Sequence, residues 1–215
     1  SMLVRDSDST IAITAAADRL GYPLVVKPDA QGSSLGVGWV HGPGDLYEAL
    51  EAAFDLGEFA LLETAVVGTE WTVSLLDNHP LPAISIDAGS DRELFDFDAK
   101  YRDQQTGYTV HRDPGRDARA VLAVGRQAAA AVGTRGIARV DIRLDDAGRP
   151  WVLEINTVPG MTAHSLVPKA AAAEGIDLGR LCERQLLGCL NRHRGLRGWH
   201  IRQNRTVAST RATTG

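Results

Sequence analysis

Four polar side chains with catalytic potential lie on two short stretches that are predicted to be strands. Arg139 and Asp141 alternate along the first stretch, and Glu154 and Asn156 alternate along the second. Alternate residues of a β-strand project from the same face of a sheet. Each pair is therefore expected to present its two side chains to the same surroundings.

The residues between these stretches favour a hairpin that would bring the two pairs together. The turn sequence 145–148 is Asp-Asp-Ala-Gly, which is typical of a tight connection. If the hairpin aligns Leu144 with Trp151, Asp141 lies opposite Glu154. Two opposed carboxylates are destabilising unless a positive group lies between them. Two carboxylates and an amide oxygen suit Mg²⁺, which prefers oxygen ligands. The alternative is a solvated strand face with an ordinary salt bridge.

A glycine- and serine-rich loop follows the short apolar segment 24–28. Its sequence, Gly-Ser-Ser-Leu-Gly over 32–36, allows backbone N–H groups to approach a phosphate closely. Lys27 supplies a positive charge just before the loop. No Gly-Lys-Ser/Thr follows, so the loop is not a P-loop. A plain flexible turn is the alternative interpretation.

Two further loops carry groups that could act on a bound anion. Residues 157–168 form a glycine- and proline-containing loop after the second strand, and its backbone N–H groups could stabilise an oxyanion. The polar stretch 87–116 contains Lys100 and Tyr101. A lysine and a tyrosine on such a loop can close over an anionic ligand and exclude water.

Hydrophobic periodicity and capping residues predict the elements that position these groups. Strands are predicted over 24–28, 59–63, 70–76, 81–86, 136–144 and 151–156, and residues 37–40 form a short apolar run. Helices are predicted over 11–20, 46–54, 118–132 and 178–190. Because hairpins stand beside helices in this order, the sequence favours an α+β fold over a doubly wound parallel sheet.

Composition excludes several classes of protein. Of the 215 residues 44% are hydrophobic, which excludes wholesale disorder. There is no apolar run long enough to span a membrane and no pattern of a signal peptide. The net charge is −4, yet the segment after Asn191 holds six arginines and no acid. The remaining body is acidic, which argues against nucleic-acid binding. Cys182 and Cys189, two helical turns apart, are predicted to be buried thiols.

Taken together, the motifs strongly resemble the D-alanine–D-alanine ligase family of the ATP-grasp superfamily. The resemblance spans about residues 8 to 190, and its last two motifs are the most specific. The matching segments are 26–28, 32–36, 98–101, 138–141, 153–162 and 164–168. The resemblance implies two α+β lobes that sandwich the nucleotide.

The resemblance also implies a division of the chain. The first ATP-grasp lobe would span 8–66 and the second 67–190. Residues 1–7 are interpreted as an expression scar and an N-terminal remnant, and 191–215 as a basic, flexible tail. The N-terminal domain typical of this family is expected to lie outside the present sequence.

By resemblance, ATP is the nucleotide. Lys27 and Lys100 would contact its phosphates, Glu63 and the backbone near Val66 would hold adenine, and Glu70 would bind the ribose hydroxyls. The full set of residues implied in nucleotide binding is Lys27, Ser33, Ser34, Glu63, Val66, Glu70 and Lys100.

The resemblance further implies two Mg²⁺ (or Mn²⁺) ions, held by Asp141, Glu154 and Asn156. Arg139 and the N–H of Gly160 would stabilise the tetrahedral intermediate.

The remaining implied roles concern the second substrate and the closing loop. Ser165 and Leu166 would receive the carboxylate of the second substrate. Ser34 and Tyr101 would belong to a hydrogen-bonded group that locks the loop closed.

The implied activity is ATP-dependent ligation of two D-alanine molecules through an acyl phosphate, for peptidoglycan precursor synthesis in the cytoplasm. A homodimer is the implied assembly, with D-alanine and ATP as ligands and neither nucleic acid nor membrane as a partner. Two alternatives stay open: another ATP-grasp carboxylate–amine ligase, and a non-catalytic nucleotide-binding fragment.

Overall fold

The computed structural model describes residues 1–32, 34–87 and 106–192, and it confirms the α+β class. Four helices are α1 (Thr10–Leu20), α2 (Leu46–Phe54), α3 (Arg116–Val132) and α4 (Leu166–Ala173), and a further helix, α5, covers 178–192. The strands are β1 (Met2–Arg5), β2 (Leu24–Pro28), β3 (Gly38–Val40), β4 (Phe59–Thr64), β5 (Gly68–Leu76), β6 (His79–Pro80), β7 (Ala83–Asp87), β8 (Gly107–His111), β9 (Ile137–Asp145) and β10 (Pro150–Asn156).

The first sheet is four-stranded, with the order β1-β4-β2-β3, and its pairs are antiparallel. Buried and half-buried residues alternate along β2, so the sheet has two distinct faces. One face packs against α1 and α2 and forms an apolar core that includes Leu24, Val26 and Leu62. The opposite face carries the half-buried residues, among them Lys27.

Local chemistry explains where α1 begins and ends. The Ser9 hydroxyl accepts a hydrogen bond from the backbone N–H of Ala12, which satisfies a donor in the first turn. At the other end, Gly21 has a φ of 77° and donates its N–H to the carbonyl of Ala17. The helix buries Ile13 on the side that faces the sheet. These contacts agree with the boundaries predicted from the sequence.

The second sheet has six strands in the order β10-β9-β5-β7-β8, with β6 paired to β5. Helix α3 approaches this sheet closely at Gly125, where an added Cβ would lie 2.9 Å from Cβ of Val73. A glycine at this position therefore lets the helix approach β5. Val73, Val140 and Ile142 are among the fully buried side chains of this sheet.

Close contacts divide the chain into two compact units. Unit 1 comprises Ser1–Glu70, Ser85–Thr109 and Arg143–Trp151, and unit 2 comprises Trp71–Ile84, Val110–Ile142 and Val152–Gly215. Among the residues that the structure describes, no helix is both long and apolar enough to cross a membrane.

Three elements differ from the sequence predictions. The first residues were set aside, yet β1 pairs with β4, and Met2 lies opposite Leu62. The stretch 87–116 was expected to be irregular, but it contains β8. The loop after β10 was expected to reach Pro168, but α4 begins at Leu166. In the first case the pairing partner is sixty residues away, which local sequence cannot reveal.

The prediction for the cysteines was wrong. Both Cys182 and Cys189 are exposed free thiols. They lie on the same side of α5, and that helix buries Leu181 instead. The helix also extends to Arg192, whose guanidinium pairs with the Asp77 carboxylate at 3.2 Å. Asn191 and Arg192 therefore belong to α5.

Candidate functional site

Within unit 2, the centre of the candidate site is a two-pronged contact on β9. Nε of Arg139 donates to Oδ1 of Asp141 at 2.9 Å, and a terminal guanidinium nitrogen donates to Oδ2 at 2.8 Å. The two residues are two positions apart on one strand, so both side chains lie on the same face. Such paired, charge-assisted hydrogen bonds fix both orientation and charge. Asp141 is buried, and this contact compensates its negative charge.

The same guanidinium nitrogen also reaches the neighbouring strand. It lies 3.9 Å from Oε1 of Glu154 on β10. The same nitrogen lies 2.8 Å from Oδ2 of Asp141. The distance between Oδ2 of Asp141 and Oε1 of Glu154 therefore cannot exceed the sum of these two distances. The Glu154 side chain is 53% exposed, whereas Asp141 is buried. Arg139 thus supplies the positive group that two neighbouring carboxylates require.

The hairpin that joins β9 and β10 differs from the predicted alignment. The Asp145 N–H donates to the carbonyl of Arg149 at 3.0 Å, whereas alignment of Leu144 with Trp151 would pair Asp145 with Pro150. The cause is Gly148, which has a φ of 75° and donates to the Asp145 carbonyl. A glycine in this conformation closes a three-residue connection, 146–148, which is one residue shorter than the predicted alignment requires. At the turn, the pairing of β9 with β10 is therefore shifted by one residue from the predicted register.

Asn156, at the end of β10, is oriented by its own loop. Its Oδ1 accepts the N–H of Val158 at 3.0 Å, which forms an Asx turn. Asn156 and Glu154 alternate on the strand, as predicted. An amide oxygen has two lone pairs, so this bond is compatible with a metal bond at the same atom.

The donor chemistry of the predicted ligands on β9 and β10 fits a hard divalent cation. Asp141 and Glu154 offer carboxylate oxygens, and Asn156 offers an amide oxygen, which are the ligand types that Mg²⁺ prefers. Over 1–32, 34–87 and 106–192, no group of three or more His, Cys, Asp or Glu side chains is arranged to hold a metal. The proposed set contains only two such side chains, Asp141 and Glu154, together with the amide of Asn156. It leaves coordination positions on the cation for phosphate oxygens and water.

The loop after β10 folds back on the start of α4. The Ser165 Oγ accepts the N–H of Thr162 at 3.1 Å and lies 2.9 Å from the Thr162 hydroxyl. A Cβ added at Gly160 would lie 2.8 Å from Ser165 Oγ, so these two predicted site residues are close neighbours. Leu166 is the buried first residue of α4.

Lys169 lies one turn beyond the start of α4. Burial lowers the pKa of its ammonium group from the usual value of 10.5. The backbone N–H of Lys169 donates to the carbonyl of Ser165 at 3.1 Å. The sequence analysis did not single out this lysine, because a lysine after a proline has no recognisable pattern.

Within unit 1, the predicted nucleotide residues Lys27 and Glu63 contact each other. The Lys27 ammonium forms an ion pair with the Glu63 carboxylate. In the register of β2 and β4, Val25 lies opposite Glu63 and Lys27 lies opposite Leu61. Lys27 and Glu63 are therefore diagonal neighbours on the face that α1 and α2 leave open.

The loop after β2 has the unusual backbone that its composition predicts. Ser34 has a φ of 58°, which is uncommon outside glycine. Gly36 has a φ of 68°, and an added Cβ would lie 3.0 Å from the Ala52 carbonyl oxygen. The loop thus packs closely against α2 at this point. Three predicted site residues lie outside the described residues: Ser33, Lys100 and Tyr101.

Arg143, which was not among the predicted site residues, contacts two predicted nucleotide residues of unit 1. Its guanidinium donates to the Val66 carbonyl at 3.0 Å and lies 3.6 Å from Oε2 of Glu70. Its Cζ also lies 5.5 Å from the ring centroid of Trp39. Arg143 follows Asp141 at the next alternate position of β9, and that regular spacing was the one available indication.

Comparison with known proteins shows the family to which the chain is related. A protein-family model described as the D-ala D-ala ligase C-terminus matches residues 2–187. The chain is 44% identical over 168 residues to a D-alanine–D-alanine ligase of Halorhodospira halophila, covering 78% of this chain and 55% of that protein. It is 44% identical over 186 residues to the ligase of Laribacter hongkongensis, covering 84% of this chain and 57% of that protein.

Solved structures show the same fold. The crystal structure of D-alanine–D-alanine ligase from Bacillus anthracis complexed with ATP matches with a TM-score of 0.72 and 30% sequence identity. That match covers 90% of this chain and 60% of the other. The chain therefore spans about half the length of the curated relatives that it matches.

Proposed function

Because the chain belongs to the family of the D-alanine–D-alanine ligase C-terminal domain, we propose that it is the nucleotide- and metal-binding part of an ATP-dependent ligase. The proposed reaction joins two D-alanine molecules through an acyl phosphate. Peptidoglycan precursor synthesis in the cytoplasm, by a homodimer, is the setting that the family resemblance implies.

The observation that carries this proposal is the position of the Arg139 guanidinium. It is bonded to Asp141 and lies within ion-pair distance of Glu154 on the next strand. A reaction through an acyl phosphate develops negative charge on phosphoryl and carbonyl oxygens, and preorganised positive groups stabilise it. Arg139 is such a group, and its two hydrogen bonds to Asp141 fix its orientation.

The residues of unit 2 would divide the chemistry between them. Asp141, Glu154 and Asn156 would hold Mg²⁺, which supplies charge neutralisation at the phosphates when it is bound. Arg139 and the Gly160 N–H would face the developing oxyanion. Such fixed donors need no reorganisation during the reaction, so they lower the free energy of the transition state.

The start of α4 suits the carboxylate of the second substrate. Helix N-termini carry N–H groups without helical partners, and these attract anions. Ser165 and Leu166 stand at this terminus. The link from Ser165 to Thr162 keeps the loop and the helix start in one arrangement, which would fix the second amino acid for attack.

The residues of unit 1 would bind the nucleotide itself. Lys27 would turn from Glu63 to the phosphates, since its ion pair lies on the half-exposed face of the sheet. Glu63 and the backbone near Val66 would then hold adenine, and Glu70 the ribose. The ATP named for the Bacillus anthracis structure supports ATP as the nucleotide here.

Calorimetry with Mg-ATP tests the first step, with Glu154→Gln as the variant and Glu183→Gln, an exposed acid on α5, as the matched control. We expect E154Q to abolish Mg²⁺-dependent binding and E183Q to bind normally, with melting temperatures close to that of the parent. Unchanged Mg-ATP affinity in E154Q would overturn the metal assignment.

ADP release in the presence of candidate substrates tests the reaction. Release that depends on D-alanine supports the proposal, and a comparison with D-lactate separates an amine nucleophile from a hydroxy acid. Release driven only by other carboxylates would replace the substrate. Mg-ATP binding without turnover under all these conditions would favour the alternative of a non-catalytic nucleotide-binding fragment.

A further inference from the structure

One arginine in unit 1 contacts three residues on two separate segments of the chain. Arg143 lies on β9, and its side chain is only 10% exposed. It donates to the Val66 carbonyl, lies 3.6 Å from the Glu70 carboxylate, and stacks its Cζ 5.5 Å above the Trp39 ring. Val66 and Glu70 flank the start of β5, so the arginine holds this short segment at both ends.

The burial of this charge requires compensation, which the three contacts provide. A buried guanidinium is costly unless carboxylate or carbonyl groups accept its hydrogen bonds. The face of an indole ring adds a further favourable cation–π contact. The fork of the guanidinium is planar and rigid, so fixing one partner also fixes the direction of the next. The orientation of the Glu70 side chain, which is 12% exposed, is thereby coupled to the Val66 peptide.

We propose that Arg143 is a positioning residue of the nucleotide site, which orients the Glu70 carboxylate and the Val66 peptide for the nucleoside of ATP. The inference rests on the proposed function, since Glu70 is there assigned to the ribose. Through Glu70, Arg143 would make the site prefer nucleotides that carry ribose hydroxyls over nucleotides that lack them. The triphosphate end, at Lys27, would be recognised independently.

A second arginine of the same unit shows what a purely local role looks like. Arg149 is 71% exposed and pairs with Asp145 four residues away in its own hairpin. An exposed pair of this kind contributes little to stability. Arg143 differs because it is buried and because its partners are the residues assigned to adenine and ribose.

The test compares binding of Mg-ATP and Mg-2′,3′-dideoxy-ATP by calorimetry. The variants are Arg143→Met, Arg143→Lys, Glu70→Gln and the double variant R143M/E70Q, with Arg126→Met on the exposed side of α3 as the control. We expect the parent and R126M to prefer ATP about tenfold, the scale of one hydrogen bond to a charged group. In R143M and E70Q the preference should fall towards one, and the double variant should lose no more.

The lysine variant keeps the test decisive if R143M does not fold. R143K retains the charge but lacks the planar fork, so we expect it to bind ATP with a reduced preference over the dideoxy nucleotide. Full preference in either variant, or additive losses in the double variant, would overturn the positioning role. Failure of the parent itself to bind Mg-ATP would instead overturn the proposed function, so the two failures are distinguishable.

Discussion

The buried hydroxyl of Thr72 donates a 2.7 Å hydrogen bond to Oδ1 of Asp141. Thr72 lies on β5 and Asp141 on β9, which are neighbours in the second sheet. The same hydroxyl lies 3.3 Å from the Val140 carbonyl. Asp141 is thus held by Thr72 from one strand and by Arg139 from its own, and its carboxylate has a defined orientation.

Removal of that hydroxyl should weaken metal-dependent binding. We expect Thr72→Val to lower Mg²⁺-dependent ATP affinity about tenfold, since loss of a group that orients a ligand commonly has that effect. It should also reduce the free energy of unfolding by about 1–2 kcal/mol. Calorimetry and urea unfolding measure the two effects. Thr72→Ser keeps the hydroxyl and should restore the affinity, and a T72S as weak as T72V would contradict the role of the hydrogen bond.

A side chain at Gly160 should impair the reaction more than the fold. The Cβ of Gly160→Ala would lie 2.8 Å from Ser165 Oγ, so the Ser165 side chain or the loop must shift at the proposed site of the second substrate. We expect D-alanine-dependent turnover to fall about tenfold or more, because small displacements of a reacting group are costly. Gly44→Ala, where an added Cβ meets nothing within 4 Å, is the control. Equal turnover in G160A and the parent would count against this placement.

Two glycines of unit 1 should differ sharply in their tolerance of alanine. At Gly68, with a φ of 146°, an added Cβ would lie 2.0 Å from the Leu144 carbonyl oxygen. Backbone cannot yield there, so G68A should cost about 3 kcal/mol or more of unfolding free energy. Gly148 has a φ of 75° with open space around it, and G148A should cost only about 1–2 kcal/mol. Urea unfolding measures the two free energies, and similar losses in G68A and G148A would contradict this prediction.

The hairpin should contribute a pH-dependent stability through Asp145. Its pKa is lowered from 3.8 to about 2, chiefly by the backbone N–H of Arg149 and then by the Trp151 indole. Since the folded pKa lies below the unfolded one, the stabilisation is present above about pH 4 and is lost as the pH falls through about 2. The melting-temperature difference between the parent and Asp145→Asn should therefore shrink over that range. Asp146→Asn, at an exposed neighbour, should show no such change; a constant difference for D145N would refute the assignment.

Local pattern was sufficient for most elements and for the charges of β9 and β10. The alternation of Arg139 with Asp141 correctly indicated a shared face, and the need for a positive group beside two carboxylates is met by Arg139 itself. The predicted register at the turn was wrong because the left-handed backbone of Gly148 closes a connection one residue shorter than predicted. The composition of the turn does not reveal this backbone angle, because it also fits a longer connection.

Long-range relationships could not be predicted in the same way. β1 is stabilised by pairing with β4, and its four residues alone have no distinctive pattern. The contacts of Arg143 join residues more than seventy positions away, including Val66. The exposure of Cys182 depends on which side of α5 faces the sheet, which the spacing of two cysteines does not determine. In each case the missing information is tertiary.

In the four-stranded sheet, α1 and α2 pack against one face. Residues such as Val26 and Leu62 maintain the fold from that side, while Lys27 and Glu63 belong to the other. Substitutions on the face that carries Lys27 and Glu63 should therefore reduce the free energy of unfolding less than substitutions in the apolar core do. Divergence of ligand preference among descendants of this chain should accumulate there, while the helix-covered layer stays comparatively unchanged.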